Sequence, residues 1–217
     1  MEYKGLQIEH FTHDTFRIKA LGKVIYIDPF EISAEQIKPA DLILSSHHHF
    51  DHCSVEDIKK LVTLETIIVA GGLCSEKLQK LKNVKEVINV VPNQDLEITG
   101  VKIQTVPAYN LDKWRSERVL YHPRQENHVG YIVEIGNIRI YHAGDTDKIF
   151  EMSQLKNIDI ALLPVSGIYV MTWQEAVEAT KVIKPKLVIP THYSEIVGTK
   201  DDAEKFKENV ECRVEII

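Results

Sequence analysis

The stretch Ser45-Ser46-His47-His48-His49-Phe50-Asp51-His52-Cys53-Ser54 carries the pattern H-x-H-x-D-H over residues 47 to 52. Imidazole and carboxylate together suit Zn²⁺, Fe or Mn²⁺, whereas Ca²⁺ takes oxygen ligands alone. Alternate residues of an extended turn point to one side, so His47 and His49 are spaced to bind one ion together. Asp51 and His52, entering a helix capped by Ser54, then face a neighbouring ion. Two further apolar runs end in polar groups: IRIYHAGDTD over 138–147 ends in Gly144-Asp145-Thr146-Asp147, and LVIPTHY over 187–193 carries His192 after Pro190-Thr191. Taken alone, such an Asp is a turn former or helix cap and such a His a packing residue. Beside H-x-H-x-D-H both become candidate ligands. No protein nucleophile competes with them, because the sequence has neither G-x-S-x-G nor a supportable Cys-His pair.

Strand ends must position these groups. Period-two and short apolar runs predict strands at 6–9, 15–19, 24–28, 41–45, 66–70, 86–91, 95–98, 102–106, 129–135, 138–142, 158–163, 186–189 and 213–216. Helices are expected after Ser54 and after Thr172, each with an acidic residue three positions on, and from Asp201 to Asn209. Gly71-Gly72 and Gly136-Asn137 read as turns. So many short strands with so few helices imply two sheets with helices outside them.

Composition bounds the rest. The 217 residues, 44% apolar and 27% charged with net charge −6, fit one compact domain over 1–217. Such a chain buries roughly 70% of its unfolded surface, so a metal site here serves function more readily than stability. No apolar stretch matches a signal peptide or a membrane span, which reads as a cytoplasmic protein acting on a small molecule, without membrane attachment. The acidic balance disfavours nucleic acid. A homo-oligomer is compatible with it. Cys53, Cys74 and Cys212 show no C-x-x-C and are expected as reduced, mostly buried thiols.

In this order the three elements resemble the metallo-β-lactamase fold superfamily of metallohydrolases, and the resemblance covers almost the whole chain. More narrowly, Pro107-Ala108-Tyr109-Asn110, His122-Pro123, the 141–147 run, Ala161-Leu162-Leu163-Pro164-Val165 and Ile189-Pro190-Thr191-His192-Tyr193 resemble its small prokaryotic branch, related to the ascorbate-6-phosphate lactonase and N-acylphosphatidylethanolamine phospholipase D groups. The resemblance implies an α+β fold, a four-layer αβ/βα sandwich of two mixed sheets flanked by helices. It implies two divalent ions, Zn with Mn or Fe as alternatives. His47 and His49 would bind the first, Asp51, His52 and His192 the second, and Asp145 would bridge both. The third His of the first ion normally comes from PA-x-H, which here reads Pro107-Ala108-Tyr109-Asn110. His122, Asn110 and His128 are the candidates to replace it, His122 first because Pro123 stiffens its loop. Asp28 matches a strand-end Asp that orients a ligand, and His13 stands where relatives carry Gly-His-Ser, in a supporting position.

The chemistry so implied is attack of a metal-bound hydroxide on a small ester, lactone or phosphodiester, with Asp51 relaying a proton. The excursion from Leu111 to Asn127 is where the pocket can vary. Its cations are either a balanced solvated face or a grip on a phosphate or carboxylate, and the substrate-side residues are taken as Asn110, Lys113, Arg124 and Tyr193. A mononuclear or non-catalytic metal-binding descendant, or a nuclease, is the alternative.

Overall fold

The computed structural model describes residues 1–217, which group into two compact units, 1–91 with Ile217 and 92–216. The first unit is a seven-stranded sheet in chain order: β1 Glu2–Tyr3, β2 Leu6–Thr12, β3 Thr15–Ala20, β4 Lys23–Ile27, β5 Leu42–Ser45, β6 Ile67–Gly71 and β7 Glu86–Val90. Strands β1 to β4 are antiparallel and β4 to β7 parallel. Of the three parallel crossovers, β5–β6 contains α1 Val55–Leu61 and β6–β7 contains α2 Gly72–Leu78, as a parallel connection requires more chain than a hairpin. Tyr26, Ile43, Ile68 and Ala70 of the sheet pack with Ile58, Leu61, Cys74 and Leu78 of the helices. Strand β5 is buried along its whole length, and its continuous Leu-Ile-Leu run is the sequence mark of a strand covered on both faces.

The second unit repeats this plan. It contains β8 Asp95–Ile98, β9 Val101–Pro107, a small hairpin of β10 Trp114–Ser116 and β11 Val119–Leu120, then β12 Val129–Ile135, β13 Ile138–His142, β14 Ile160–Pro164, α3 Trp173–Ile183, β15 Leu187–Thr191, α4 Lys200–Asn209 and β16 Arg213–Val214. Its seven-stranded sheet runs β16-β15-β14-β13-β12-β9-β8, antiparallel from β8 to β13 and parallel from β13 to β16. Helix α3 starts at a full capping box of Thr172 and Glu175 and buries Ala176, Val177, Ala179, Thr180 and Ile183, a face dominated by i, i+3, i+4 and i+7 spacing. Two mixed sheets with four helices make the chain α+β, as expected. No helix is long and apolar enough to cross a membrane.

All thirteen expected strands and three expected helices are present, with β1, β10, β11 and α2 in addition. Two expectations are corrected. Gly71-Gly72 does not turn the chain away but caps α2, with Gly71 extended at the N-cap. The thiols of Cys53 and Cys74 are not reduced: a disulfide joins them, their Cα atoms 6.0 Å apart, leaving Cys212 as the free thiol. The strand ends are brought together, since Ser45 and Ala70 are partners in β5 and β6; Cys74 follows within α2, and Cys53 follows eight residues after Ser45, before α1.

Candidate metal centre

In the first unit the candidate ligands hang from the end of β5 and are aimed by one buried carboxylate. Asp28, following β4 with φ 44°, accepts from the Ser46 backbone N–H through Oδ1 (2.7 Å) and from the Ser46 hydroxyl through Oδ2 (2.6 Å). The same Oδ2 takes His52 Nδ1–H at 2.8 Å. Having given its one proton to Asp28, the Ser46 hydroxyl meets His47 Nδ1 at 2.9 Å as an acceptor, so His47 also carries its proton on Nδ1. Both rings therefore present the Nε2 lone pair, the tautomer a metal needs. His47 Nε2 comes to 3.0 Å of His49 Nδ1, bringing together the pair that spacing assigns to one ion. The other group is Asp51, His52 and His13, one ligand atom from each lying within 4.8 Å of the others. His13, at φ 47° in the β2–β3 turn, puts Nε2 3.3 Å from Asp51 Oδ2. That is closer to a ligand than its expected supporting position required.

The second unit holds a cluster of its own. Asp145 follows β13 and receives two imidazoles on one oxygen: His122 Nε2 lies 3.2 Å and His192 Nε2 3.4 Å from Asp145 Oδ2. Of the three residues considered for the missing PA-x-H ligand, His122 is the one turned towards Asp145. Asn110 is committed elsewhere. Its Oδ1 accepts from His122 N (2.9 Å) and His122 Nδ1 (3.1 Å), and its amide donates to the Tyr169 carbonyl (2.8 Å) and Asp147 Oδ1 (3.2 Å). His128 pairs through Nε2 with Glu126 at 3.0 Å. Burial raises the Asp147 carboxyl above its usual range, opposed by the backbone N–H groups of Leu111 and Asp112.

This donor set fits a divalent cation. Both imidazoles offer Asp145 a lone pair, and lone pairs brought to 3.2 and 3.4 Å of a carboxylate oxygen repel unless a proton or a cation lies among them. Buried imidazoles with carboxylates are the ligand types of Zn²⁺, Fe and Mn²⁺. The four expected substrate-side residues are less uniform. Lys113 is enclosed by Asp112 (2.6 Å), Glu175 (3.1 Å) and Asp147 (3.4 Å). Burial lowers its pKa, but those carboxylates outweigh it and hold the ammonium above its ordinary range. Arg124 is exposed, lies over the Tyr109 ring and pairs with Glu151 at 2.8 Å. Tyr193 is buried in the α3–α4 core, and burial raises its phenol. Sequence reasoning missed Ser46, Ser166 and Asp147. Two of them carry a local signal, a serine beside the first His of the motif and a second Asp after Gly-Asp-Thr; Ser166 has none.

The model of the β-lactamase superfamily domain matches residues 7–192. The chain belongs to that family. A protein of Thermoplasma acidophilum named a metal-dependent hydrolase is 33% identical over 216 residues, covering 94% of this chain and 90% of the relative. Among solved structures, a Parabacteroides distasonis protein described as a metal-dependent hydrolase is 31% identical with a TM-score of 0.85, over 97% of this chain and 92% of that one. A metallo hydrolase of Ignicoccus hospitalis shares the fold, with a TM-score of 0.78 at 23% identity over 98% and 94% of the two chains. The family and its hydrolase members agree with the coarse reading of the ligand types: metal-dependent hydrolysis.

Proposed function

We propose that the chain is a binuclear metal-dependent hydrolase whose metal ligands are His47, His49, Asp51 and His52 of the first unit and His122, Asp145 and His192 of the second. The observation that carries this reading is tautomeric: His47, His52, His122 and His192 each direct Nδ1 to an oxygen of the protein, leaving Nε2 as the donor atom. The family match runs unbroken across both units, which supports one domain over 1–217. Divalent ions held by these residues would lower the pKa of water from about 15.7 towards 7 and neutralise charge growing on the scissile group. The residues around them orient and move protons. Asp51 Oδ2, 3.3 Å from His13 Nε2, is a proton station that His13 steadies. A small ester, lactone or phosphodiester is the substrate class, with an anionic group met by Arg124, whose exposed guanidinium remains accessible, rather than by Lys113, which its own carboxylates surround.

Elemental analysis of the tag-free protein, with bis-p-nitrophenyl phosphate and a simple lactone assayed on the same sample, tests this. Two Zn, Mn or Fe ions per chain with chelator-sensitive turnover, abolished in Asp51→Ala, is the expected result. One ion or none, with no turnover after metal is restored, points to a mononuclear or non-catalytic protein and overturns it.

A further inference from the structure

The turn after β14 touches both candidate histidine ligands of the second unit, and it does so from the side opposite their ligand atoms. Ser166 Oγ donates to the Ile168 carbonyl (3.1 Å), and with that proton committed it meets His192 Nδ1 (3.1 Å) as an acceptor. Three residues on, the Tyr169 carbonyl lies 3.2 Å from His122 Nδ1, and carbonyls only accept. Asn110 adds a second acceptor to the same Nδ1, with its amide oriented by two pure acceptors, the Tyr169 carbonyl and the Asp147 carboxylate. Nothing in this set offers a proton to either ring.

The turn is held rigidly. Tyr169 has φ 69° and Gly167 φ 70°, conformations that cost a side-chain-bearing residue energy. A Cβ on Gly167 would meet Thr172 Cγ2 at 2.9 Å, and one on Gly198 would meet Ser166 Cβ at 2.6 Å. Backbone bonds close the turn and tie it to the segment after β13, with Gly167 N–H on Met171 O (2.8 Å) and Met171 N–H on Thr146 O (3.0 Å). Thr146 immediately follows Asp145, so the same short network fixes the carboxylate and both imidazoles.

We infer that the Ser166–Tyr169 turn, with Asn110, is a tautomer clamp: Ser166 and Asn110 are positioning residues that keep the protons of His192 and His122 on Nδ1 and so keep both Nε2 atoms available to metal. The inference rests on the proposed metal centre for its purpose, but the tautomers themselves are properties of the metal-free protein. In long-range ¹H–¹⁵N spectra of the metal-free chain, both rings are expected to carry a proton on Nδ1, whether or not Asp145 also draws one to Nε2, assigned with His122→Gln and His192→Gln samples. A ring whose Nδ1 carries no proton overturns the clamp.

Ser166→Ala should shift His192 towards a tautomer mixture and weaken Zn²⁺ binding 10- to 100-fold in a chelator competition, the usual effect of losing a ligand's hydrogen-bond partner. Asn110→Leu should do the same at His122 alone. Gly198→Ala, which displaces Ser166 without altering it, should reproduce the Ser166→Ala spectrum. If Asn110→Leu fails to fold, the wild-type spectrum and the Ser166 and Gly198 variants decide. Metal affinity that falls in His122→Ala and His192→Ala but not in folded Ser166→Ala or Asn110→Leu refutes the clamp and leaves the metal centre standing. Affinity indifferent to His122→Ala, with the Nδ1–H form still observed, refutes the metal centre and leaves the clamp.

Discussion

Replacing Asp28 by Asn changes almost no volume and should disable two ligands at once. Asp28 is fully buried and accepts three hydrogen bonds, from Ser46 N–H, the Ser46 hydroxyl and His52 Nδ1–H. An amide keeps one oxygen, which the Ser46 N–H retains. The NH₂ group then meets two donors. The hydroxyl must rotate to accept from it, pointing its own proton at His47 Nδ1 2.9 Å away and driving the His47 proton to Nε2. His52 must likewise move its proton to Nε2. Each lost partner costs 10- to 100-fold in metal affinity, so the two together predict about 10²- to 10⁴-fold, or about 3–6 kcal/mol. Losing the charge-assisted bond should also lower the stability of the metal-free protein by about 1.5–3 kcal/mol. Chelator-competition titration with Zn²⁺ reads the first quantity and urea unfolding of metal-free protein the second. Wild-type Zn²⁺ affinity in a folded Asp28→Asn protein would refute the argument that Asp28 sets both tautomers.

Three further outcomes follow from the fold. Reducing Cys53–Cys74, separated by 21 residues, should cost about 3 kcal/mol through loop entropy and lower the melting temperature by about 6–12 °C; equal melts of oxidised and verified reduced protein would contradict it. Hydrogen bonding to Arg17 holds the Glu9 carboxyl at about 2, below its ordinary 4.5, so its contribution is complete above pH 4.5 and lost as pH falls through 2. Glu9→Gln should therefore flatten the acid limb of the stability curve over that window, and an unchanged limb in pH-dependent urea unfolding would exclude it. Gly130→Ala should destabilise by about 1–3 kcal/mol, because its Cβ would meet the backbone oxygens of His142 at 2.7 Å and Ala143 at 2.8 Å, neither able to yield as a side chain does; thermal melts check this.

The strands were legible because most have buried apolar faces, and burial is what makes periodicity visible. The hairpin β10–β11 escaped for the converse reason: Trp114, Arg115 and Ser116 are all exposed, so no alternation marks it. Helix α2 was hidden by Gly71-Gly72, whose turn preference is overridden by the crossover that must return the chain to β7. The disulfide depends on adjacent parallel strands ending side by side, a tertiary fact that wide cysteine spacing conceals. In the site, His47, His49, Asp51 and His52 could be read from a local pattern. Ser166 could not, because its meaning lies in a histidine 26 residues away.

The departure at Asn110 shows how one function can be divided between two positions. Where the family pattern PA-x-H expects the ligand, this chain has a residue whose amide cannot both accept from His122 and bind metal through the same oxygen. The β10–β11 insertion begins and ends here: Asn110 N–H bonds the His122 carbonyl at 2.8 Å while His122 N–H bonds Asn110 Oδ1 at 2.9 Å. That reciprocal pair closes the base of the insertion and holds the His122 imidazole with its Nε2 3.2 Å from Asp145 Oδ2. An insertion can thus be lengthened or recharged at its tip, where Arg115 and Arg118 are exposed, while its base keeps the geometry at Asp145. On the proposed metal centre, His122 takes the part that the pattern gives to the PA-x-H histidine, and Asn110, at that pattern position, is the residue that orients its imidazole.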